Sequence, residues 1–454
     1  MYKRQDEDEA GDEDPETPPT DTDGDGTPDY QDDDSDNDGC PDDVEVENGS
    51  DPNDYDSDDD GMSDCVEIEC GSDPEDPDEE CDQVITVGEQ VDVDVTPEIY
   101  QLDVTYMMDA TDGFYTTEAT VSVMAAEMLV LNPAFSDMVI EDARFAVTSH
   151  SDYAYGTYSP GYSFPDRLEQ QLTLDYPSTF LQMSTMELVT DTYFDPYTSV
   201  YEAMYQVATG VGYDMDNDGN VDEGDVRPFI ADYGDAFGGR ASGSYDLADT
   251  STGLHGGVGY RDEALRVAIL YGDGPFRHPE DNGYPPGSSV KTTDEVLESL
   301  RQNHVRVCGV SSAFPTSPTY FTTVEEMLDI SDATRCVGDL YGTGEYHLPI
   351  AWAAPYGFSA GVATLSIVET LLASTPFDVT LELDDTPEGL TWSVDPPVVY
   401  DTPVLKPLNF KIQVEGSVRS TPEDQVYTLN FKVKGDGQVL LGYAPVTILI
   451  PGSR

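Results

Sequence analysis

The sequence predicts an α/β protein. Its expected core is a doubly wound, mostly parallel sheet, flanked by a β-sandwich and preceded by an acidic calcium-repeat stalk. Three observations carry this. Strand and helix patterns alternate over about 101–375, as in a parallel sheet covered on both faces. Beyond Pro376 strands alternate with Pro and Gly turns and no helical period appears, which reads as a sandwich. Residues 1–82 hold 37 acidic and 2 basic side chains with few apolar ones, so burial alone cannot fold them.

The acidic head comes first. Residues 1–20 read as a disordered acidic start. After them Asp21, Asp23, Asp25, Gly26, Asp29 and Asp32 occupy positions 1, 3, 5, 6, 9 and 12 of a dodecamer. Asp34, Asp36, Asp38, Gly39, Asp42 and Glu45 repeat it, and so do Asp56, Asp58, Asp60, Gly61, Asp64 and Glu67. This is calcium-loop spacing: alternate oxygens wrap the ion, Gly permits the sharp turn, and a last carboxylate closes the shell. An unstructured acidic tail is the alternative. With Gly49-Ser50-Asp51-Pro52 and Gly71-Ser72-Asp73-Pro74 at the joints, residues 21–82 resemble bacterial thrombospondin type 3 repeats, in which calcium ions act as the core.

The whole chain of 454 residues carries 19 Lys and Arg against 93 Asp and Glu, a formal charge of −74. That excludes nucleic acid as a natural partner, since phosphate binding needs clustered cations, and disfavours an anionic membrane surface. Six cysteines, four in the head (Cys40, Cys65, Cys70, Cys81) and a pair at Cys308 and Cys336, point to disulfides in an oxidising compartment. Pairing among the first four stays open. No apolar leader follows Met1-Tyr2-Lys3-Arg4-Gln5, which reads as a truncated or misjoined gene end. The uncharged run from Leu348 to Val368 reaches spanning length, but its prolines and glycines read as a buried strand followed by a helix.

In the central region Leu102–Met108, Ala143–Val147, Leu265–Tyr271 and Val305–Val310 read as strands. Thr117–Leu131, Ser199–Ala208, Thr293–Gln302, Val324–Ile330 and Val362–Ala373 read as helices. Residues 151–197 show no clear period and are expected to form exposed loops. Ligands of such sheets bind beyond the carboxyl ends of the strands. Three segments there carry hard oxygen donors: Asp109-Ala110-Thr111-Asp112-Gly113, Thr198-Ser199, and Tyr271-Gly272-Asp273-Gly274. Such a set suits Mg²⁺ or Mn²⁺. A further dodecamer, Asp214 to Asp225, offers Asp214, Asp216, Asp218, Asn220 and Asp225 around Gly219. It reads as a calcium loop that braces a 210–262 insertion, away from the ligand edge.

These residues, with Arg144–Asp152, Gly259–Phe276 and Thr293–Val310, make the region resemble a von Willebrand factor A domain, closest to the integrin β-subunit I-like type. That resemblance implies a metal-ion-dependent site made by Asp109, Thr111, Thr198 and Asp273, receiving a carboxylate from a protein ligand. Gly113 stands where the family has a second serine, and Thr116 and Thr117 replace the acidic pair of a neighbouring integrin calcium site. It also implies that 83–100 and 376–454 join in one hybrid-like sandwich around the central domain. Cofactors so implied are several Ca²⁺ and one Mg²⁺ or Mn²⁺.

The enzyme readings are weak. Gly357-Phe358-Ser359-Ala360-Gly361 matches a nucleophile elbow, yet all five histidines precede Ser359, the wrong order for its triad. Cys308 reads as a partner of Cys336, not as a nucleophile. The expected function is therefore non-enzymatic: an exported calcium-binding adhesion or ligand-recognition protein, extracellular or at a cell surface, without a membrane span. The alternative is a calcium-stiffened extracellular module whose metal edge does not work.

Overall fold

The computed structural model describes residues 19–78, 84–111, 142–151, 165–174, 176–184, 186, 198–214, 219, 226, 257–272, 274–278, 290–311, 320–353, 360–416 and 425–450. The expected helix over Thr117–Leu131, Ser359 and the start at 1–18 lie outside them. In the head, α1 (Asp42–Asn48) and α2 (Asp64–Cys70) each stop at a left-handed glycine, Gly49 and Gly71. The N–H of each glycine closes on the carbonyl of Glu45 or Glu67, the usual device for ending a helix. A Cys40–Cys65 disulfide links the two loops, and Cys70 is also disulfide-bonded. Next come β1 (Val84–Thr86) and β2 (Gln90–Val95). A turn at Gly88, with φ of 97°, separates the two.

The central region follows: β3 (Gln101–Asp109), β4 (Asp142–His150), β5 (Arg167–Thr173), α3 (Tyr176–Ser184), α4 (Val200–Thr209), β6 (Leu265–Gly272), α5 (Thr293–Gln302) and β7 (Val305–Ser311). It closes with α6 (Tyr320–Ala333), the short β8 (Val337–Gly338), β9 (Leu348–Pro349) and β10 (Ala351–Ala353), and α7 (Ala360–Ser374). Six strands form one sheet in the order β10-β7-β6-β3-β4-β5, parallel except at β5. Numbered along the chain and read from β5, the order is 3-2-1-4-5-6, the doubly wound arrangement.

Burial shows both faces covered. Alternate side chains of a strand point to opposite faces, and on β3 Val104, Tyr106 and Met108 join one apolar cluster while Met107 joins the other. The first face meets Ile367, Val368 and Leu371 of α7. The second meets Val200, Ala203 and Met204 of α4, Leu300 of α5 and Met327 of α6. Gly309 allows α6 to press on β7, because a Cβ there would lie 2.6 Å from Met327 Cβ. Cys308–Cys336 ties β7 to the residues after α6. At α5, Thr292 and Glu295 form a reciprocal cap.

One expectation fails. Within 151–197, Arg167–Thr173 is an edge strand of the sheet with Leu168 and Glu169 buried, and Tyr176–Ser184 is a helix. A buried glutamate among polar neighbours erases the period by which a strand is recognised. The run from Leu348 gives short strands and then α7. Among the described residues no helix is long and apolar enough to cross a membrane.

The last strands are β11 (Pro376–Glu382), β12 (Leu390–Asp395), β13 (Val399–Pro403), β14 (Leu408–Gly416), β15 (Gln425–Gly435) and β16 (Val439–Ile450). They form two sheets, β1-β16-β15-β11-β13 and β12-β14-β2. Strands from before the central region therefore pair with strands from after it. Phe377, Phe431 and Ile448 from one sheet share an apolar cluster with Val93, Phe410 and Ile412 from the other, continuous with the α7 face of the central sheet. β12 and β13 are short, at six and five residues, and mostly exposed or half-buried. The head does not stand free as a stalk, since α2 packs against β15 and β16.

Cations rivet the central sheet to these strands. Arg306 of β7 is buried and donates to the Arg335 and Pro376 carbonyls, the Thr375 hydroxyl and Asp436. Arg335 reaches Asp436, Asp378 and Asp401. Lys432 and Lys434 of β15 both bind Glu263. Arg306→Ala would take the buried donor from two carbonyls and a hydroxyl and one of two cations from Asp436, so it should cost roughly 3–5 kcal/mol in urea unfolding. The exposed pair Arg301–Glu298 should matter little, and Arg301→Ala should cost no more than about 1 kcal/mol.

Candidate metal centres

The three acidic windows fold into one repeated backbone circuit. In each, the position-6 glycine has φ between 102° and 110° (Gly26, Gly39, Gly61), a region open chiefly to glycine. Its N–H turns onto the position-1 carboxylate: Gly26 to Asp21, Gly39 to Asp34, Gly61 to Asp56. The position-5 N–H bonds the position-3 carboxylate in all three, Asp25 to Asp23, Asp38 to Asp36 and Asp60 to Asp58. Position 7 does the same to position 5. Carboxylates at 1, 3 and 5 thus converge, with one oxygen from each lying within 4.8 Å of the others.

The remaining two acidic positions behave differently. Asp29, Asp42 and Asp64 at position 9 each accept both the N–H and the hydroxyl of position 2, namely Thr22, Ser35 and Ser57. They lock the loop rather than pointing an open oxygen into it. At position 12, Glu45 and Glu67 are carried inward by α1 and α2 and fully buried, whereas Asp32 follows only a short 3₁₀ turn. Neighbouring loops also touch: Asn37 donates to Asp23, and the Cys65 N–H donates to Asp38.

These residues fit a cation. Both carboxylate oxygens of Glu45 and one each of Asp36, Asp58, Asp60 and Glu67 are buried without a protein donor. Burial, reinforced by the neighbouring aspartates, pushes Glu45 up to about 9, Asp36 to about 8 and Glu67 to about 7. Oxygens so placed need either a proton or a metal. Asp38, Cys40 and Cys65 also cluster, but both sulfurs are spent in the disulfide. In the inserted loop, Gly219 (φ 97°) donates to Asp214 at 2.8 Å, the same bond from position 6 to position 1. Asp216, Asp218, Asn220 and Asp225 lie outside the described residues.

The sheet edge is stitched by backbone bonds among four segments. Ala110 N–H bonds the His150 carbonyl at 2.7 Å, Ser199 N–H the Ser151 carbonyl at 2.8 Å, and Arg277 N–H the Thr198 carbonyl at 2.8 Å. Within it, Asp109 is fully buried at the carboxyl end of β3 and accepts the Thr111 hydroxyl at 2.7 Å and its N–H at 2.9 Å. Asp109 Oδ2 lies 3.7 Å from where a Cβ on Gly272 would stand, so the carboxylate faces the end of β6. Thr198 is 2% exposed and its hydroxyl has no protein partner. A hard cation fits that donor set. Asp273, Gly113, Thr116 and Thr117 lie outside the described residues.

Sequence reasoning missed the acids and the imidazole beside this edge. Asp166, Glu169 and Glu202 are all buried. Burial, with Glu202 and Glu169 nearby, holds Asp166 well above the usual carboxylate range. Glu169 accepts from Ser149 at 2.6 Å and Glu202 from Gln206 at 2.7 Å. Burial pulls His150 down to about 3, leaving it neutral. Nothing in a single sequence marks Asp166, because only the return of β5 alongside β4 brings it there.

Solved structures similar to the chain include the ArnB paralog VWA2 from Sulfolobus acidocaldarius, at 11% identity over 82% of this chain and 73% of that one, with a TM-score of 0.31. Proximal thread matrix protein 1 from the mussel byssus, with a zinc-occupied MIDAS motif, aligns at 13% identity and a TM-score of 0.30. That alignment covers 62% of this chain and 48%, about half, of the byssus protein. No family model and no curated protein matches the sequence.

Without a cation, the raised carboxyls bind more protons folded than unfolded. Their contribution to stability is therefore present below about pH 4 and is lost as pH rises through about 7–9. In chelator, amide protection factors of α1 and α2 should fall across that range. Excess calcium should restore them at the alkaline end, where the carboxylates are already ionised.

Proposed function

We propose that the chain is a calcium-binding, von Willebrand A-type recognition protein. A divalent cation held by Asp109, Thr111, Thr198 and Asp273 would receive a carboxylate from a protein partner. The observation that carries this is the sheet edge, which holds a buried aspartate turned toward β6 and a buried threonine hydroxyl that no protein group satisfies. The doubly wound strand order supports the same reading, because such sheets place their ligands at this edge. Charge supplies a reason for the ion. A surface this acidic repels an acidic partner, and a divalent cation between two carboxylates removes the repulsion.

The two outer sheets are read as one hybrid-like β-sandwich into which the central domain is inserted. The three head loops and the loop from Asp214 are read as calcium sites. Disulfides at Cys40–Cys65 and Cys308–Cys336 favour an extracellular or cell-surface setting, since thiols are kept reduced in the cytosol. The reading is of a binding module and not of an enzyme.

A second reading, a calcium-stiffened structural module, is favoured by Gly113, which removes one hydroxyl from the metal-site pattern. Calorimetric titration of the full chain with Mg²⁺ and Mn²⁺ in saturating calcium separates the two. Recognition requires one site in the wild type that disappears in Asp109→Ala. Identical traces from the two proteins would remove the recognition mechanism and leave the structural one.

A further inference from the structure

The outer face of β15 and β16 is covered at one end and open at the other. Leu429, Phe431 and Val433 of β15 point into the core with Val446 and Ile448 of β16. The opposite face therefore carries Val426, Thr428 and Asn430, paired in register with Leu449, Thr447 and Pro445. Along that face Tyr443 is 54% exposed and Asn430 and Pro445 are open. Thr447 is only 4% exposed, and Val426, Thr428 and Leu449 are half-buried. Among the described residues, α2 is a helix that lies against both of these strands.

That helix belongs to the third acidic loop. Asp64 and Glu67 of α2 are the loop's ninth and twelfth positions; Asp64 holds Ser57, and Glu67 is carried inward. Between those two acids stand Cys65 and Val66, 3% and 1% exposed. A seven-residue helix is marginal by itself in water. It is shaped by the loop on one side and held by the sheet and the Cys40–Cys65 disulfide on the other.

We propose that the third acidic loop is a cation-operated latch, whose occupied form presents α2 to the outer face of β15 and β16 and fixes the head against the two-sheet region. This rests on the calcium reading of the head given above and adds a partner surface for it. With the ion in place, Asp58, Asp60 and Glu67 converge and α2, with Val66 buried on it, lies against the strands. With the ion removed, buried carboxylate oxygens that have no protein donor drive the loop apart. The helix then loses its frame, and the strip at Val426, Thr428, Thr447 and Leu449 opens to water.

Hydroxyl-radical footprinting of the full chain, with bound calcium counted by atomic emission in the same samples, tests this. Chelation of wild type should raise oxidation of Leu449 and Val66 several-fold. Tyr443, already open, and Phe431, in the core, should stay as they were. Glu67→Gln should show the open pattern at calcium concentrations that close wild type. Loss of calcium from the head without any change at Leu449 would overturn the latch and leave the calcium sites standing. A rise at Phe431 in step with Leu449 would mean that the whole region unfolds, and would also overturn it. A head that binds no calcium at all would remove the reading beneath it.

Discussion

Positive charge is the scarce material of this protein, and the rest of the structure depends on where it is placed. Nineteen basic side chains accompany 93 acidic ones. Many of them gather at the base of the central sheet. Arg261 binds Asp103 and Asp142 there, Arg266 binds the Arg261 and Asn303 carbonyls, and Arg306 and Arg335 reach into the strands below. Removing Arg261 from that base would leave Asp103, fully buried, without its ion-pair partner, which is why so few cations decide so much.

In the head, aspartates and glutamates converge on one another. There the chain uses repeated geometry instead. Three loops close on the same bonds from positions 5, 6 and 7, and a carboxylate at position 9 clamps each loop's second residue. This arrangement brings carboxylate oxygens together at fixed points, with only a few apolar side chains such as Cys40, Cys65 and Val66 buried among the described residues of the head. The inserted loop at Asp214 reuses the bond from position 6, far along the chain and beyond the end of α4.

Much of this was legible in the residues. Parallel strands buried on both faces, such as Leu265–Gly272, read as continuous apolar runs, and helices such as Thr293–Gln302 carry their own caps. The loop spacing of Asp and Gly is local and therefore visible. What could not be read depends on contacts distant in sequence. Glu169 is buried in an edge strand because β5 returns beside β4, and Asp166 is carried there with it. The clamping role of Asp29, Asp42 and Asp64 was hidden because spacing gives the residue but not the direction of its carboxylate. The docking of α2 was hidden because a seven-residue helix carries too short a pattern to name its neighbour.

The pairing of β1 with β16 has a mechanical consequence. The two strands run parallel, with Val84 opposite Thr447 and Thr86 opposite Leu449. A force drawing the head one way and the end of β16 the other would load these bonds along the strands, so that all of them resist together instead of opening one by one. The central sheet leaves and re-enters this region between Val95 and Pro376, to one side of that line of tension. Load carried through the chain would pass beneath the carboxyl edge of the central sheet, leaving Asp109 and Thr198 at rest while the strands below them bear the pull.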